Sequence, residues 1–308
     1  MSVQNPHDQF FRESFRKPEI IHNFLEEYLL PELRSQLDLD SLKMEPDNYV
    51  DELRTHQTDL LYQVELVSGG SAYLYFLFEH KSYPEEQVAL QLLRYLVQIW
   101  HEQPKKRGEK LRPIIPLVIY HGAQKWNVKG DFQALFDTLP VSVVPHIPQF
   151  HYQLFDFSYR SDIEIRGEIW LRVCLLILQA IFAPDLREQL PSLVNLMFEL
   201  QDKQTGLEYI YTILYYLSIA TDKVDLDTMQ QTLSAHSQQG DQVMATIAQT
   251  LRAQGFQQGF GVGEKQGEKQ ALHNIARKLL QLHDVVTVSE LTGLTIEEVR
   301  GIVENRPK

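Results

Sequence analysis

The chain has 308 residues, of which 44% are hydrophobic, and a formal net charge of −12. That hydrophobic content excludes a disordered protein, and the negative charge argues against coating nucleic acid through bulk charge, since such binding depends on neutralised phosphates. The single cysteine, Cys174, excludes intrachain disulfides and a cysteine-based zinc site, and its apolar surroundings predict a buried, inert thiol.

Export and membrane signals are not evident in the sequence. The first residues, MSVQNPHDQFF, lack a basic segment followed by an apolar one, and the apolar run VCLLILQAIF (173–182) is too short to cross a bilayer. We therefore expect a soluble cytoplasmic protein that is not associated with a membrane.

The first half of the chain predicts a mixed α/β core. Apolar residues recur at helical spacing from Asp8 to Leu30, with Pro18 dividing two helices, and a strand is expected near Lys43–Val50. TDLLYQVELV and AYLYFLFEH, separated by SGGS, then predict a hairpin. A helix (85–103), the buried strand RPIIPLVIYHG and an edge strand FHYQLFDF (150–157) follow.

The second half reads as helical. Helices are predicted at 162–182, 186–202, 205–220 and 225–236. Beyond them, glycines stand four apart at 255, 259, 263 and 267, which indicates either a close helix contact or a frayed linker. Val288–Leu291 and Thr295–Val303 suit a helix-turn-helix, but acidic residues in the second helix favour self-association over DNA reading.

These patterns predict three regions. Residues 1–160 form the α/β core, residues 161–240 a helical domain, and residues 241–308 a glycine-spaced helix with a small helical hairpin, which we expect to mediate oligomerisation.

The hairpin carries a candidate acid pair. Glu79 and Lys81 share one face of their strand, because strand side chains alternate, and Asp59 lies on the partner strand. A strict two-residue loop at Gly69 and Gly70 would place Asp59 on the wrong face, opposite His80. We therefore predict a three-residue loop or a bulge, which sets Asp59 opposite Glu79 or Lys81.

Converging carboxylates have a definite chemical use. Asp59, Glu79 and the carbonyl of His80 would supply the hard oxygen ligands that Mg²⁺ prefers, while Lys81 orients a water or stabilises the transition state. The alternative from the residues alone is a strand that surfaces in an exposed ion pair, since an isolated E-x-K motif has little specificity.

Five blocks in one order resemble a known family. PHDQFF, YVDELRTHQTDLLYQV, LFEHKS, LLRYLVQIW and PLVIYHG are similar to the YhgA-like recombination-promoting nuclease (Rpn) family of the PD-(D/E)XK nuclease superfamily, over roughly residues 6–160. The resemblance implies a mixed sheet flanked by helices, with an α-helical C-terminal region. It also implies that Asp59 and Glu79 bind metal and that Lys81 is the catalytic lysine; Thr58 departs from the nominal proline of the motif.

Further residues follow from the resemblance. Gln91 and Tyr95 resemble the QxxxY element of RecB-like nucleases, with an assisting role for Gln91 and a substrate contact for Tyr95, although Tyr95 also fits plain core. Asp8 or Asp51 is a candidate outer-sphere acid. His121 and His7 are expected to be structural, His121 at a strand end and His7 as a helix cap, and Tyr73, Tyr75 and Phe76 are expected in the core.

A basic stretch is the candidate DNA contact. Seven Lys or Arg residues lie between His101 and Gly130, and Lys105, Lys106 and Arg107 are its densest part. A solvated loop explains the same charges.

The sequence thus predicts a Mg²⁺-dependent DNA endonuclease, with Mn²⁺ as a substitute, acting as a homodimer through its C-terminal helices. The alternatives are a catalytically silent DNA- or protein-binding module that keeps the nuclease fold, and a helical scaffold whose polar hairpin residues are accidental.

Overall fold

The computed structural model describes residues 5–46, 59–79, 84–103, 110–128, 130, 132–200 and 205–235, together with short stretches and single positions between 249 and 301. The helices in these ranges are α1 (Pro6–Phe15), α2 (Pro18–Tyr28), α3 (Pro31–Arg34), α4 (Val88–Glu102), α5 (Ile169–Ala180), α6 (Leu186–Phe198), α7 (Gly206–Ala220), α8 (Leu226–Ser234) and α9 (Val285–Thr292). The strands are β1 (Leu37–Met44), β2 (Leu60–Leu66), β3 (Ser71–Glu79), β4 (Ile114–Tyr120) and β5 (Gln153–Asp156).

The five strands form one mixed sheet in the order β1-β2-β3-β4-β5. Antiparallel pairing joins β1, β2 and β3, and parallel pairing joins β3, β4 and β5. The helix α4 makes the crossover that parallel β3 and β4 require. A mixed sheet flanked by helices and followed by an α-helical region is the fold class that the sequence predicted, and it is confirmed.

Proline and polar capping residues set the helix starts. Pro6 and Pro18 occupy the first positions of α1 and α2, where a missing N–H costs nothing. The Asn5 side chain accepts the N–H of His7, so Asn5 caps α1 and the predicted capping role of His7 is wrong. The predicted division at Pro18 is confirmed.

The first strand lies earlier than predicted. β1 covers Leu37–Met44 and pairs with β2, whereas the prediction placed it at 43–50; residues 47–50 lie outside the described part. Leu37 and Leu39 are buried, whereas Asp38 and Asp40 between and after them are exposed, so one side of β1 faces the core. This alternation covers too few residues to indicate a strand in the sequence.

The hairpin between β2 and β3 has a three-residue loop, as predicted. Leu66 and Gly70 pair across it, since Leu66 N–H donates to the Gly70 carbonyl at 2.8 Å, which leaves Val67, Ser68 and Gly69 as the loop. Gly69 has φ +93°, a left-handed conformation that favours glycine. The predicted partner of Asp59 was wrong by two residues: the register Leu61↔Tyr75, continued to the end of β2, places Asp59 across from Leu77.

The two faces of the sheet carry different layers. Phe76 and Phe78 face α1 and α2, where Phe11 stacks on Phe78 at 4.1 Å. On the opposite face α4 covers a buried cluster that includes these residues: Tyr73, Tyr75, Leu77, Leu92, Tyr95, Val118 and Tyr120. The predicted core positions of Tyr73, Tyr75 and Phe76 are confirmed.

The helical region begins later than predicted. Residues 162–168 are not helical, and α5 starts at Ile169. The Asn23 side chain of α2 accepts the N–H of Glu168 at 2.7 Å, and Gly167 beside it has φ +104°. This contact with α2 holds the segment before α5 in a loop.

Residues 1–241 form one compact unit, and residues 242–308 form a second. Within the first, α1 packs against α7 and α2 packs against α5. Cys174 of α5 is fully buried, and burial raises its pKa to about 11, as expected for an inert thiol. The predicted boundaries near residues 160 and 240 stay predictions.

In the second unit α9 ends at Thr292 and is followed by Gly293, whose φ is +73°. Residues 296, 297, 300 and 301 are helical again. The predicted glycine stripe at residues 255–267 lies outside the described residues. Among the residues that the structure describes, no helix is long and apolar enough to cross a membrane.

Candidate active site

Asp59 and Glu79 lie on the same face of the sheet. Tyr75, Leu77 and Glu79 alternate with the buried Phe76 and Phe78, so they all face the α4 side. The Tyr75 hydroxyl donates to Oδ2 of Asp59 at 2.5 Å, which places the Asp59 carboxylate on that side too. The condition that the sequence set for an active site, two acids on one face, is therefore met.

Asp59 is a buried carboxylate in an unfavourable electrostatic position. Burial raises its pKa to about 8, and the carboxylates of Asp8 and Glu79 add to the rise. The hydrogen bond from Tyr75 and the charge of Arg12 act in the opposite direction. Its Oδ1 is buried and has no hydrogen-bond partner among the described residues.

Asp8 brings a third acid to this place from α1. Its charge acts on Asp59, so of the two candidate outer-sphere acids Asp8 lies near the pair. Asp51 lies outside the described residues. The sequence analysis missed Tyr75 and Arg12 as site residues. Tyr75 shares the strand face of Glu79, and Arg12 lies one helical turn after Asp8, so both spacings could have indicated them.

The residues fit a divalent cation. Oδ1 of Asp59 is buried and lacks a hydrogen-bond partner among the described residues. Burial, and then the charges of Asp8 and Glu79, raise the pKa of Asp59, so a cation at this place would offset the repulsion. In the described part of the chain no group of three or more His, Cys, Asp and Glu side chains is arranged to hold a metal ion. The two carboxylates Asp59 and Glu79 fit Mg²⁺, because Mg²⁺ usually binds one or two carboxylates and keeps several waters.

A family model described as "Putative transposase, YhgA-like" matches residues 5–208. The matched segment contains the whole sheet, α1 and the acids Asp8, Asp59 and Glu79. The chain belongs to the YhgA-like family.

Full-length relatives of the YhgA-like chain come from Escherichia coli strain K12. One, named "Inactive recombination-promoting nuclease-like protein RpnE", is 26% identical and covers 97% of each chain. "Recombination-promoting nuclease RpnC" is 25% identical over 97% of this chain and 98% of its own. "Recombination-promoting nuclease RpnA" is also 25% identical, over 96% of both chains. The family thus contains members named as nucleases and members named as inactive.

No solved structure matches the YhgA-like chain. The mixed sheet with α4 between β3 and β4, and acids at the end of the hairpin, is the core that the PD-(D/E)XK resemblance implied.

Gln91 and Tyr95 lie on α4, and Tyr95 is close to the two acids. Tyr95 is fully buried, its ring 5.7 Å from that of Tyr75. Burial raises its pKa to about 12, and the charges of Asp59 and Glu79 contribute, so its hydroxyl lies within their field. Gln91 lines a cavity of about 730 Å³ together with Tyr95 and other α4 residues. The roles predicted for both residues stay predictions.

Five predicted site residues fall outside the described part of the YhgA-like chain. They are His80, Lys81, Lys105, Lys106 and Arg107.

The two histidines pack on the other side of the sheet from the acids. His121 is fully buried, and its ring lies 5.3 Å from that of His7 and 4.7 Å from Phe182. The Nδ1 of His7 hydrogen-bonds the Tyr216 hydroxyl at 2.7 Å. The backbone N–H of His121 donates to the Glu79 carbonyl at 2.8 Å, so His121 lies at the strand end where it was predicted; the structural role of its ring stays a prediction.

Proposed function

We propose that this chain is a metal-dependent DNA endonuclease that hydrolyses phosphodiester bonds and acts in DNA recombination in the cytoplasm. The observation that carries the proposal is the convergence of Asp59 and Glu79 on one face, where a buried oxygen of Asp59 lacks a hydrogen-bond partner among the described residues. The names of the relatives RpnC and RpnA support a nuclease linked to recombination.

Each residue has a chemical role in this proposal. Asp59, Glu79 and the carbonyl of His80 hold Mg²⁺, or Mn²⁺ in its place, and Asp8 stabilises the site from outside the ligand set. When bound, the metal lowers the pKa of a water and neutralises charge on the phosphate. Lys81 orients the attacking water or stabilises the charge of the transition state, and Gln91 assists it.

The substrate surface in this proposal extends from the acids along α4. Lys105, Lys106 and Arg107 follow α4 in the sequence and supply a local cluster of positive charge in a chain whose net charge is −12. Tyr95, which lies beside Gln91 on α4, is proposed as a further substrate-binding residue of this surface.

Hydrolysis of both DNA strands requires two active sites, which is the reason to propose a homodimer. The C-terminal helices are the proposed contact. Light scattering of the full chain and of residues 1–241 tests this: a dimeric full chain and a monomeric fragment are expected, and equal masses would contradict the proposal.

Cleavage of supercoiled plasmid DNA in Mg²⁺ or Mn²⁺ tests the proposed activity. Wild type is compared with Asp59→Asn, Glu79→Gln and Lys81→Ala, which are expected to lose cleavage by at least about a hundredfold. Glu65→Gln is the matched control, because Glu65 is an exposed acid on β2 at the other end of the hairpin. Equal cleavage by all five proteins would show a contaminating nuclease.

A catalytically silent module is the second candidate, because the 26% identical relative RpnE is named inactive. This candidate predicts DNA or protein binding without metal-dependent cleavage. A wild-type chain that binds DNA but cleaves no plasmid with either metal would favour it.

A further inference from the structure

The loop that follows β4 contains Lys125 and lies at the end of the sheet where β3 finishes at Glu79. Glu79 pairs with Tyr120, and Tyr120 pairs with Asp156, so the ends of three neighbouring parallel strands form one row. Neighbouring strands lie about 4.8 Å apart, which sets the loop within reach of a substrate at Glu79. The loop spans residues 121–128.

Several contacts fix the shape of this loop. The Asp156 carboxylate accepts the N–H of Trp126 at 2.8 Å and the N–H of Ser158 at 2.9 Å. The Trp126 indole N–H donates to the Val128 carbonyl at 3.0 Å. Both oxygens of the half-buried Asp156 carboxylate therefore accept backbone N–H groups, and these bonds fix the position of Trp126.

The loop covers the same face of the sheet as the acids. The Trp126 ring packs edge-on against Tyr120 at 4.9 Å. Burial, and then the carboxylates of Asp156 and Glu79, raise the pKa of Tyr120 to about 12, so the Tyr120 ring lies between those two acids. Trp126 on top of Tyr120 therefore brings its neighbour Lys125 to the rim of the candidate active site.

Lys125 presents its charge to solvent. Its side chain is 54% exposed and forms an ion pair with Asp162, whose side chain is 86% exposed. Exposed ion pairs of this kind contribute little to stability, so another anion can replace Asp162. A DNA phosphate binds a lysine more favourably than the Asp162 carboxylate does, because DNA binding also releases condensed counterions.

We infer that Lys125 is a phosphate-binding residue for the DNA strand next to the scissile bond, and that Asp162 is the anion that DNA displaces. This inference rests on the proposed function for the nature of the ligand. A lysine that contacts a phosphate does not distinguish one base from another. Lys125 therefore increases the affinity for DNA and positions the strand, without a preference for sequence.

Equilibrium binding separates this role from catalysis. Fluorescence anisotropy of two labelled duplexes of unrelated sequence is measured with the full chain in Ca²⁺, from 20 to 300 mM salt (roughly the range in which phosphate contacts dominate). The variants are Lys125→Ala, Lys125→Arg and Asp162→Asn. Arg187→Ala, which removes one exposed charge from α6, is the matched control.

Lys125→Ala is expected to weaken binding of both duplexes by about fivefold to tenfold at 100 mM salt and to lower the salt slope by about 0.9. Lys125→Arg retains the slope, and Asp162→Asn strengthens binding by about twofold because a repelling charge is removed. Arg187→Ala leaves both quantities unchanged.

Two results would overturn the inference. One is a Lys125→Ala slope equal to that of wild type, and the other is an equal loss in Arg187→Ala, which would show a general charge effect. Absence of measurable DNA binding by the wild-type chain at 20 mM salt would overturn it as well. Plasmid cleavage by Asp59→Asn is scored separately, so the proposed function can fail while phosphate binding by Lys125 stands, and the reverse.

Discussion

Asp59 is a carboxylate placed where a charge is costly. It is buried, its pKa is raised to about 8, and Asp8 and Glu79 repel it. A purely structural position would tolerate asparagine at least as well as aspartate, since asparagine carries no charge. The ionised Asp59 carboxylate should therefore lower the free energy of unfolding of the chain.

Asp59→Asn is expected to change how stability depends on pH. The folded pKa of about 8 exceeds the unfolded value of about 3.9, so between these values the folded chain binds more protons and its unfolding free energy falls as pH rises. The fall is at most about 5 kcal/mol between pH 4 and pH 8, and Asp59→Asn should remove it. Urea unfolding in EDTA at pH 5, 7 and 8.5 measures this effect. Glu65→Gln serves as control, and an Asp59→Asn slope equal to the control would contradict the prediction.

Tyr75→Phe should make Asp59 harder to ionise. The Tyr75 hydroxyl donates to Asp59 and lowers its pKa, and hydrogen bonds to charged groups contribute about 1.5–3 kcal/mol. If cleavage requires ionised Asp59, loss of the Tyr75 hydrogen bond shifts the acidic limb of the pH profile of cleavage to higher pH, by about one pH unit. Tyr73→Phe, on the same strand face, is the control. An unshifted limb in Tyr75→Phe would exclude this role.

At the scale of the elements, the hairpin decides whether the site exists. Its three-residue loop gives Asp59 and Glu79 the same face, and a loop of two residues would have separated them. The sequence predicted this loop from the chemistry it had to serve. It missed the position of β1, because the alternation of Leu37 and Leu39 covers too few residues.

Gly69→Val should destabilise the hairpin. Gly69 has φ +93°, a conformation that costs a β-branched residue about 1–2 kcal/mol. Val67→Ala in the same loop should change stability by less than about 0.5 kcal/mol, because Val67 is exposed. Urea unfolding of both variants and the wild type checks the difference. Equal midpoints for Gly69→Val and wild type would mean that the loop adopts another conformation.

At the scale of the whole molecule, the acids depend on helices far away in the sequence. α1 carries Asp8 and packs against α7, where Phe10 stacks on Tyr216 at 4.3 Å and the Tyr209 hydroxyl donates to Ser14 at 2.9 Å. The helical region is therefore part of what holds Asp8 near Asp59.

A fragment of residues 1–160 should fold poorly for this reason. It would expose the faces of α1 and α2 that α7 and α5 cover, which include the fully buried Phe10. Residues 1–241 should melt cooperatively near the temperature of the full chain. Circular dichroism melts of both fragments compare them, and a cooperative melt of 1–160 would show that the core is an independent domain.

The sequence by itself determined the order of elements and the acid pair of the hairpin, because strand alternation and turn residues are local properties. Gln91 and Tyr95 followed from the family resemblance of the same segment. The tertiary structure decided what surrounds these residues. Tyr75, Asp8 and Arg12 act on Asp59 only because α1 and β3 meet there, and the raised pKa follows from burial, which no local pattern reports. Likewise, Lys125 is one lysine among many in the sequence, and the loop that carries it lies beside the end of β3 only because Asp156 and Tyr120 hold it there.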